Sequence, residues 1–364
     1  MKAVMFDTFG DPEVLHLADV PPPDPGPGQV RIRVQASGVN PVDSSIRSGA
    51  MQAIFPTVLP AIPGVDVAGV VDAVGEHVTD VAVGEPVVGW ADPPAGSYAE
   101  YALASQIARI PTGLSFANAA TLPTAGEAAK RGLDLLGVRA GETVVIHGAS
   151  GSVGTIAVQL AVARGATVIG TASEDNQDYV RSLGAIPVLH GDGLLDQVRA
   201  LSRQVDAVFD VAGKGALPDS MVLRGGTGRI ITISDPAAGK LGVTFSAGTP
   251  KDWSTGDLAR LAELAARGDL ITTVAGTGCP APTTAAPPPN PAPICAATPV
   301  SVDAVLEQMA DWAHPGSSGP VSDGGLAFGP RRGPVRRQAS HHAGLGGTCC
   351  WRSRWHCTGR PIAG

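Results

Sequence analysis

The sequence predicts an α/β protein in which a β-rich N-terminal domain precedes a doubly wound parallel-sheet domain. Three observations carry this. Short apolar runs broken by glycines fill roughly the first third of the 364-residue chain. From Thr143 a strand, a glycine-rich turn, a helix and a second strand follow one another within about 30 residues. Two further apolar runs then end near glycines, as parallel strands alternating with helices do.

Gln29-Val30-Arg31-Ile32-Arg33-Val34 alternates polar and apolar, as a strand with one buried face should. The prolines from Pro21 to Pro27 make a stiff loop before it. Val65–Val74, Glu85–Trp90 and Tyr98–Ala102 are further short strands, punctuated by Gly64, Gly75, Gly84 and Gly96. Together they predict a small barrel or sandwich-like domain over residues 1–120. Asn118–Leu136 is rich in alanine and leucine and reads as helical.

Thr143-Val144-Val145-Ile146-His147 is the next strand, and Gly148-Ala149-Ser150-Gly151-Ser152-Val153-Gly154 is the turn. Ile156, Leu160 and Ala163 recur at helical spacing, and Ala166–Ala172 is a second apolar strand. Gly148 lets the chain leave the strand tightly. Gly151 removes a Cβ where a pyrophosphate approaches the backbone, and Gly154 permits close helix–strand packing. The helix N-terminus, with Ser150, Ser152 and Val153 around it, offers free N–H groups and a positive dipole end. The competing reading is an ordinary strand–helix turn. Val205–Val211 and Arg229–Ser234 follow as parallel strands, placing Asp210 and Ser234 at the carboxyl edge, where such sheets bind ligands. Thr255–Arg267 reads as an amphipathic helix with Leu258, Leu261 and Leu264 on one face and Gly268 as its C-cap. The expected domains are 1–120, a nucleotide-binding domain over 121–255, a return segment over 256–276 and a tail over 277–364.

Composition excludes several classes. Lys and Arg number 26 against 33 Asp and Glu, a net charge of −7. Seven of the basic and four of the acidic residues follow residue 276, leaving 19 − 29 = −10 on the body. That sign argues against a nucleic-acid partner. All five cysteines (Cys279, Cys295, Cys349, Cys350, Cys357) lie in the tail, so the body can hold no cysteine-based zinc site or disulfide. Asp7 and Asp11 interrupt any signal-peptide core, and prolines and acids interrupt every long apolar run. The expectation is a soluble cytoplasmic protein with no membrane partner.

Ser37-Gly38-Val39-Asn40-Pro41-Val42-Asp43, Pro60-Ala61-Ile62-Pro63-Gly64-Val65-Asp66, Gly96-Ser97-Tyr98-Ala99-Glu100-Tyr101 and His147–Gly154 with Gln159-Leu160-Ala161 resemble the medium-chain dehydrogenase/reductase superfamily. The similarity is to its zinc-free quinone oxidoreductase-like branch and covers roughly residues 1–276. It implies a GroES-like catalytic domain followed by a Rossmann domain. Zinc-dependent members carry a cysteine near Asn40 and Gly-His-Glu where this chain has Gly64-Val65-Asp66; one carboxylate cannot hold a catalytic zinc. The resemblance therefore implies hydride transfer from NADPH, without zinc or flavin, to a quinone or α,β-unsaturated carbonyl that delocalises the incoming charge. It also implies a homodimer built through the nucleotide domain. The other reading is a non-catalytic NAD(P)H-binding protein.

The resemblance places Asn40 beside the nicotinamide; its plain reading is a turn residue before Pro41. Asp43 either fixes the pocket loop or caps a helix over Ser44–Ser48, and capping is the expectation. The aromatic near Ser45 and the threonine near Ala128 found in relatives are absent. His147 ends its strand just before Gly148, where it could lie near the cofactor; the expectation is a packed or solvent-facing histidine. Ser173 stands where an NAD-binding acid would grip the ribose, leaving room for a 2′-phosphate. Asn176 and Arg181 are candidate donors, but Glu174 and Asp175 would repel a dianion. NADPH is the expected cofactor, with NADH left open.

After Gly276, Cys279-Pro280-Ala281-Pro282 through Pro287-Pro288-Pro289 suits neither helix nor central strand. Gly329–Gly364 has seven arginines and no acid. A basic or Cys/His-bearing interaction tail, a polyproline linker and a change of reading frame near Gly276–Gly278 are the three readings. The last is preferred: 21 arginines against five lysines mark a GC-rich gene, whose other frames yield Pro, Ala, Arg and Gly. Val302–Ala313, which keeps a helical period, is the exception.

Overall fold

The computed structural model describes residues 1–274 and a two-residue strand at Ala296–Ala297. The tail, with its cysteines and the helical period at Val302–Ala313, lies otherwise outside the described residues.

The N-terminal lobe begins with a hairpin, β1 (Lys2–Phe6) against β2 (Leu15–Asp19), that the sequence reading did not anticipate. It continues with β3 (Val30–Gly38), helix α1 (Pro41–Arg47), β4 (Asp66–Val74), β5 (Pro86–Trp90), β6 (Tyr101–Ala104) and β7 (Gln106–Arg109). β3, β4, β5 and β7 pair antiparallel in that order, and β6 pairs with the free side of β3. Only Ser105 separates β6 from β7, which lie at opposite ends of this sheet. The sheet must therefore curl towards closure, as a small barrel does.

Two helices replace the single helix expected over Asn118–Leu136: α2 (Phe116–Ala120), capped by Ser115, and α3 (Pro123–Leu136). The break has a local cause. Pro123 has no N–H to continue α2 but suits the first turn of α3.

The nucleotide lobe runs β8 (Thr143–His147), α4 (Ser152–Ala163), β9 (Thr167–Ala172), α5 (Gln177–Ser182), β10 (Ile186–Leu189), α6 (Leu194–Leu201), β11 (Ala207–Asp210), α7 (Leu217–Arg224), β12 (Ile230–Thr232), α8 (Ala238–Leu241) and β13 (Thr244–Phe245). Every pairing is parallel, in the order β10–β9–β8–β11–β12–β13. This is the doubly wound order, with its switch point between β8 and β11. α9 (Thr255–Arg267) ends at Gly268, whose φ of 77° makes it the expected C-cap. β14 (Ala296–Ala297) pairs with the end of β3.

One apolar core joins the lobes. Ala36, Val65, Val88 and Trp90 pack in the same cluster as Leu122, Leu133, Ile146, Phe209 and Leu261. The first-lobe strands and the switch point are thus held against one another through α2, α3 and α9.

Candidate active site and cofactor cradle

At the end of β8 the chain reverses through Gly148, whose φ of 76° is costly for any residue with a Cβ. A Cβ on Gly154 would press on the Gly148 carbonyl oxygen and lie 2.8 Å from Ala149 Cα, so the helix and the turn meet backbone to backbone. A Cβ on Gly151 would meet only the Gly148 oxygen, at 3.4 Å, so this glycine faces open space. The helical ladder of α4 starts with Thr155 N–H donating to Gly151. The N–H groups of Ser152, Val153 and Gly154 are left outside it, pointing from the N-terminus. An open glycine and three aimed N–H groups fit a dinucleotide pyrophosphate.

The switch point is held by Asp210. Its buried carboxylate accepts from Ala212 N–H and Gly213 N–H, both at 3.1 Å, and from Thr232 Oγ1 at 2.8 Å. It therefore shapes the loop after β11 and ties β11 to β12. Ser234 lies against Gly213, its hydroxyl donating to Val211 at 3.4 Å. His147, at the end of β8, is buried, which decides between the packed and solvent-facing readings. Ser220 Oγ donates to Ala216, so the ring Nε2–H is the donor in its 2.9 Å bond to Ser220. Burial pushes this imidazole's pKa down, against the pull of Asp210 and Asp219.

The first lobe buries two carboxylates, Asp43 and Asp66. Asn40 stands at the N-terminus of α1, where Asp43 Oδ2 accepts from Asn40 N–H at 2.8 Å. Asp43 is therefore not the cap expected: the helix begins at Pro41 with Asn40 as its N-cap, and Asp43, at its third residue, reaches back to the Asn40 N–H. It also accepts from Val65 N–H at 3.1 Å and Tyr98 Oη at 2.8 Å. Asp66, on β4, accepts from Asn40 Nδ2 at 2.9 Å, Thr124 Oγ1 at 2.6 Å and Thr124 N–H at 3.1 Å. This carboxylate ties the loop before α1 to the first turn of α3. Burial pushes Asp66 up to about 7 and Asp43 up to about 6, against these hydrogen bonds. Asn40 is itself buried, with one amide hydrogen committed to Asp66.

Ser173 follows β9 directly, and its Oγ accepts from Asn176 Nδ2 at 2.9 Å. Arg181 is not brought to them; Asp178 takes its guanidinium on the exposed side of α5. The sequence reading weighed Asp66 only as a metal ligand and passed over Thr124, whose role rests on a contact 58 residues away in sequence. It also missed a row of aromatic rings, Phe55, Trp253 and Trp90. Trp253 stacks on Trp90 at 5.0 Å and 8° and lies 6.5 Å from Phe55. No local period announces it.

Together the doubly wound sheet, its glycine turn and the curled N-terminal sheet define a two-lobed, dinucleotide-binding dehydrogenase/reductase. The alcohol dehydrogenase GroES-like domain matches residues 26–112, and the zinc-binding dehydrogenase family matches residues 152–247. Quinone oxidoreductase of Sus scrofa is 38% identical over 242 residues, 64% of this chain and 73% of that protein. 2-Methylene-furan-3-one reductase of Solanum lycopersicum is 35% identical over 244 residues, 64% of this chain and 62% of that protein. The quinone oxidoreductase structure from Coxiella burnetii superposes with a TM-score of 0.66 at 34% identity, covering 76% of this chain and 91% of that one. A mycobacterial protein solved in complex with NADPH gives 0.69 at 25% identity, covering 86% and 96%. The chain belongs to the medium-chain dehydrogenase/reductase superfamily, in its quinone oxidoreductase-like branch. Among the described residues no helix is long and apolar enough to cross a membrane.

Proposed function

We propose that this chain is a zinc-independent reductase that passes hydride from NADPH to quinones and α,β-unsaturated carbonyls. The observation that carries the reading is the buried Asn40–Asp66–Thr124 network that ties the loop before α1 and β4 to α3. At the positions that hold metal ligands in zinc-dependent relatives, this chain has an amide and a carboxylate already bonded to one another, with Val65 in place of an imidazole. Such a donor set fits zinc poorly.

NADPH, when bound, supplies the hydride. The chain's residues position it and exclude water. The N–H groups of Ser152, Val153 and Gly154 would take the pyrophosphate, and Ser173 and Asn176 would face the adenosine ribose. Asp210 and Thr232 fix the loop over the switch point, while Asp66 holds the two lobes in register around the nicotinamide. Relatives named quinone oxidoreductase and NADPH-dependent alkenal/one oxidoreductase, the latter from Arabidopsis thaliana at 35% identity, support the substrate class. A cytoplasmic homodimer belongs to the same reading; the edge strand β13, with Phe245 exposed, supports a contact there.

The test is oxidation of NADPH and of NADH in the presence of phenanthrenequinone, benzoquinone and simple enones. Turnover with any of them is expected. Tight nucleotide binding without turnover across the panel would replace this reading with a non-catalytic NAD(P)H-binding protein.

A further inference from the structure

After α9 the chain runs through residues 270–274 without helix or strand and lies against α4 and α5. Leu270 is buried in the core that joins the lobes, and Val274 packs against that core, while Ile271 between them is exposed. This segment takes its polar ties from side chains. Gln159, on α4, meets Ile271 with both ends of its amide. Its Oε1 accepts from Ile271 N–H at 2.8 Å, and its Nε2 donates to the Ile271 carbonyl at 2.9 Å.

A second tie lies two residues further on. The hydroxyls of Thr155, Tyr179 and Thr273 form a chain, 3.0 Å from Thr155 Oγ1 to Tyr179 Oη and 2.8 Å from there to Thr273 Oγ1. Tyr179 stands on α5 and packs against the same core. Both ties reach Thr155, because Gln159 Nε2 also donates to the Thr155 carbonyl at 2.9 Å. Thr155 is buried, and its N–H, donating to Gly151 at 2.8 Å, opens the helical ladder of α4. The three free N–H groups of the glycine turn belong to the residues just before it.

We propose that residues 270–274 are a clasp on α4, and that Tyr179 is a positioning residue through which this clasp tightens the hold on the nucleotide pyrophosphate. This rests on the nucleotide-binding part of the reading above. The first turn of a helix opens easily, since its N–H groups have no partners within the helix. Fixing Thr155 from outside, at its hydroxyl and its carbonyl, keeps the ladder closed on Gly151 and the three N–H groups aimed together. Tyr179 acts through Thr155 rather than by contact with the nucleotide. The coupling is reciprocal: the factor by which the closed clasp raises nucleotide affinity is the factor by which bound nucleotide favours the closed clasp.

The experiment compares the full chain with Tyr179→Phe, which removes the hydroxyl and keeps the ring, and with Thr273→Val, which removes the far end of the tie at similar size. Calorimetric titration gives the affinity for NADPH. Hydrogen exchange of the peptide covering residues 268–274, with and without NADPH, reports on the clasp. In the unsubstituted protein NADPH should slow that exchange about three- to tenfold. Each variant should bind NADPH about three- to tenfold more weakly and lose most of the slowing. The double variant should match Tyr179→Phe alone, because the hydroxyls form one chain. A tie that only stabilises the fold would speed exchange equally with and without NADPH and leave affinity unchanged. That result would overturn the proposal and leave the reductase reading, which turnover tests separately, intact. Losses that multiply in the double variant would overturn it too, since the two hydroxyls would then act independently. If the unsubstituted protein binds no NADPH, the nucleotide reading fails and the coupling with it.

Discussion

Asn40 Nδ2 donates to Asp66 Oδ2 at 2.9 Å, fixing the loop before α1 to β4. Thr124 extends the tie to α3, so one buried carboxylate joins three elements.

That carboxylate makes stability depend on pH. The folded value of Asp66, about 7, is raised above its unfolded value near 3.8. Its contribution is fully present below the unfolded value and is lost as pH rises through about 7. From pH 6 to pH 8 this one group should cost on the order of 1 kcal/mol. Urea denaturation of the unsubstituted protein and Asp66→Asn at both values checks this. The difference between the two proteins should shift by that amount, and a pH-independent difference would show that Asp66 is charged throughout.

Gly151 and Gly154 should separate binding from folding. Gly151→Ala places a methyl in open space, 3.4 Å from its nearest neighbour. The melting temperature should hold while nucleotide affinity falls at least tenfold. Gly154→Ala forces the methyl into the Gly148 backbone and should lower both, with a stability loss of roughly 1–3 kcal/mol. Thermal melts with and without NADPH distinguish the two patterns.

Gly132 lies within α3, where alanine normally stabilises a helix by about 1 kcal/mol. Here a Cβ would meet Phe209 Cε2 at 2.6 Å and Cε1 at 2.7 Å. Phe209 is fully buried in β11 and cannot retreat. Gly132→Ala should therefore destabilise, by about 1–3 kcal/mol, reversing the usual sign. Equilibrium unfolding gives the answer, and a gain in stability would refute the packing argument.

Arg229 links β12 to the turn before β8, donating to both oxygens of Glu142 at 2.8 Å and to the Leu136 carbonyl at 2.9 Å. This pairing holds Glu142 down at about 2. Its contribution is present above the ordinary glutamate value near 4.5 and is lost as pH falls through about 2. Glu142→Gln should cost up to about 1 kcal/mol at pH 7, since the pair is partly exposed. The cost should shrink as pH falls below 4.5, as measured by denaturant midpoints.

Much of the fold was legible because it is written locally. The glycine turn, α9 with its Gly268 cap and the strands β8, β9, β11 and β12 all follow from short periods and from residues with special backbone demands. The break at Pro123 was equally local but was passed over in favour of the alanine-rich run around it. The hairpin β1–β2 and the short edge strands β10 and β13 were missed because they are brief and partly exposed. Within the site, the helix after Asn40 was readable, but its start at Pro41 and the role of Asn40 as its N-cap were not, and position alone left His147 open between packed and solvent-facing. The tie between Asp66 and Thr124 was not, since 58 residues separate them. Arg181 was drawn to the ribose by its spacing in the sequence, yet Asp178, three residues earlier, holds it.

By itself the sequence determined the family and the nucleotide turn, because each depends on which residues stand at a few positions. The tertiary structure alone decided which carboxylate ties the loop before α1, β4 and α3 together. Asp66 meets Thr124 across 58 residues of sequence. Contacts of that kind arise when packing and strand pairing bring distant segments together, and no local pattern encodes them.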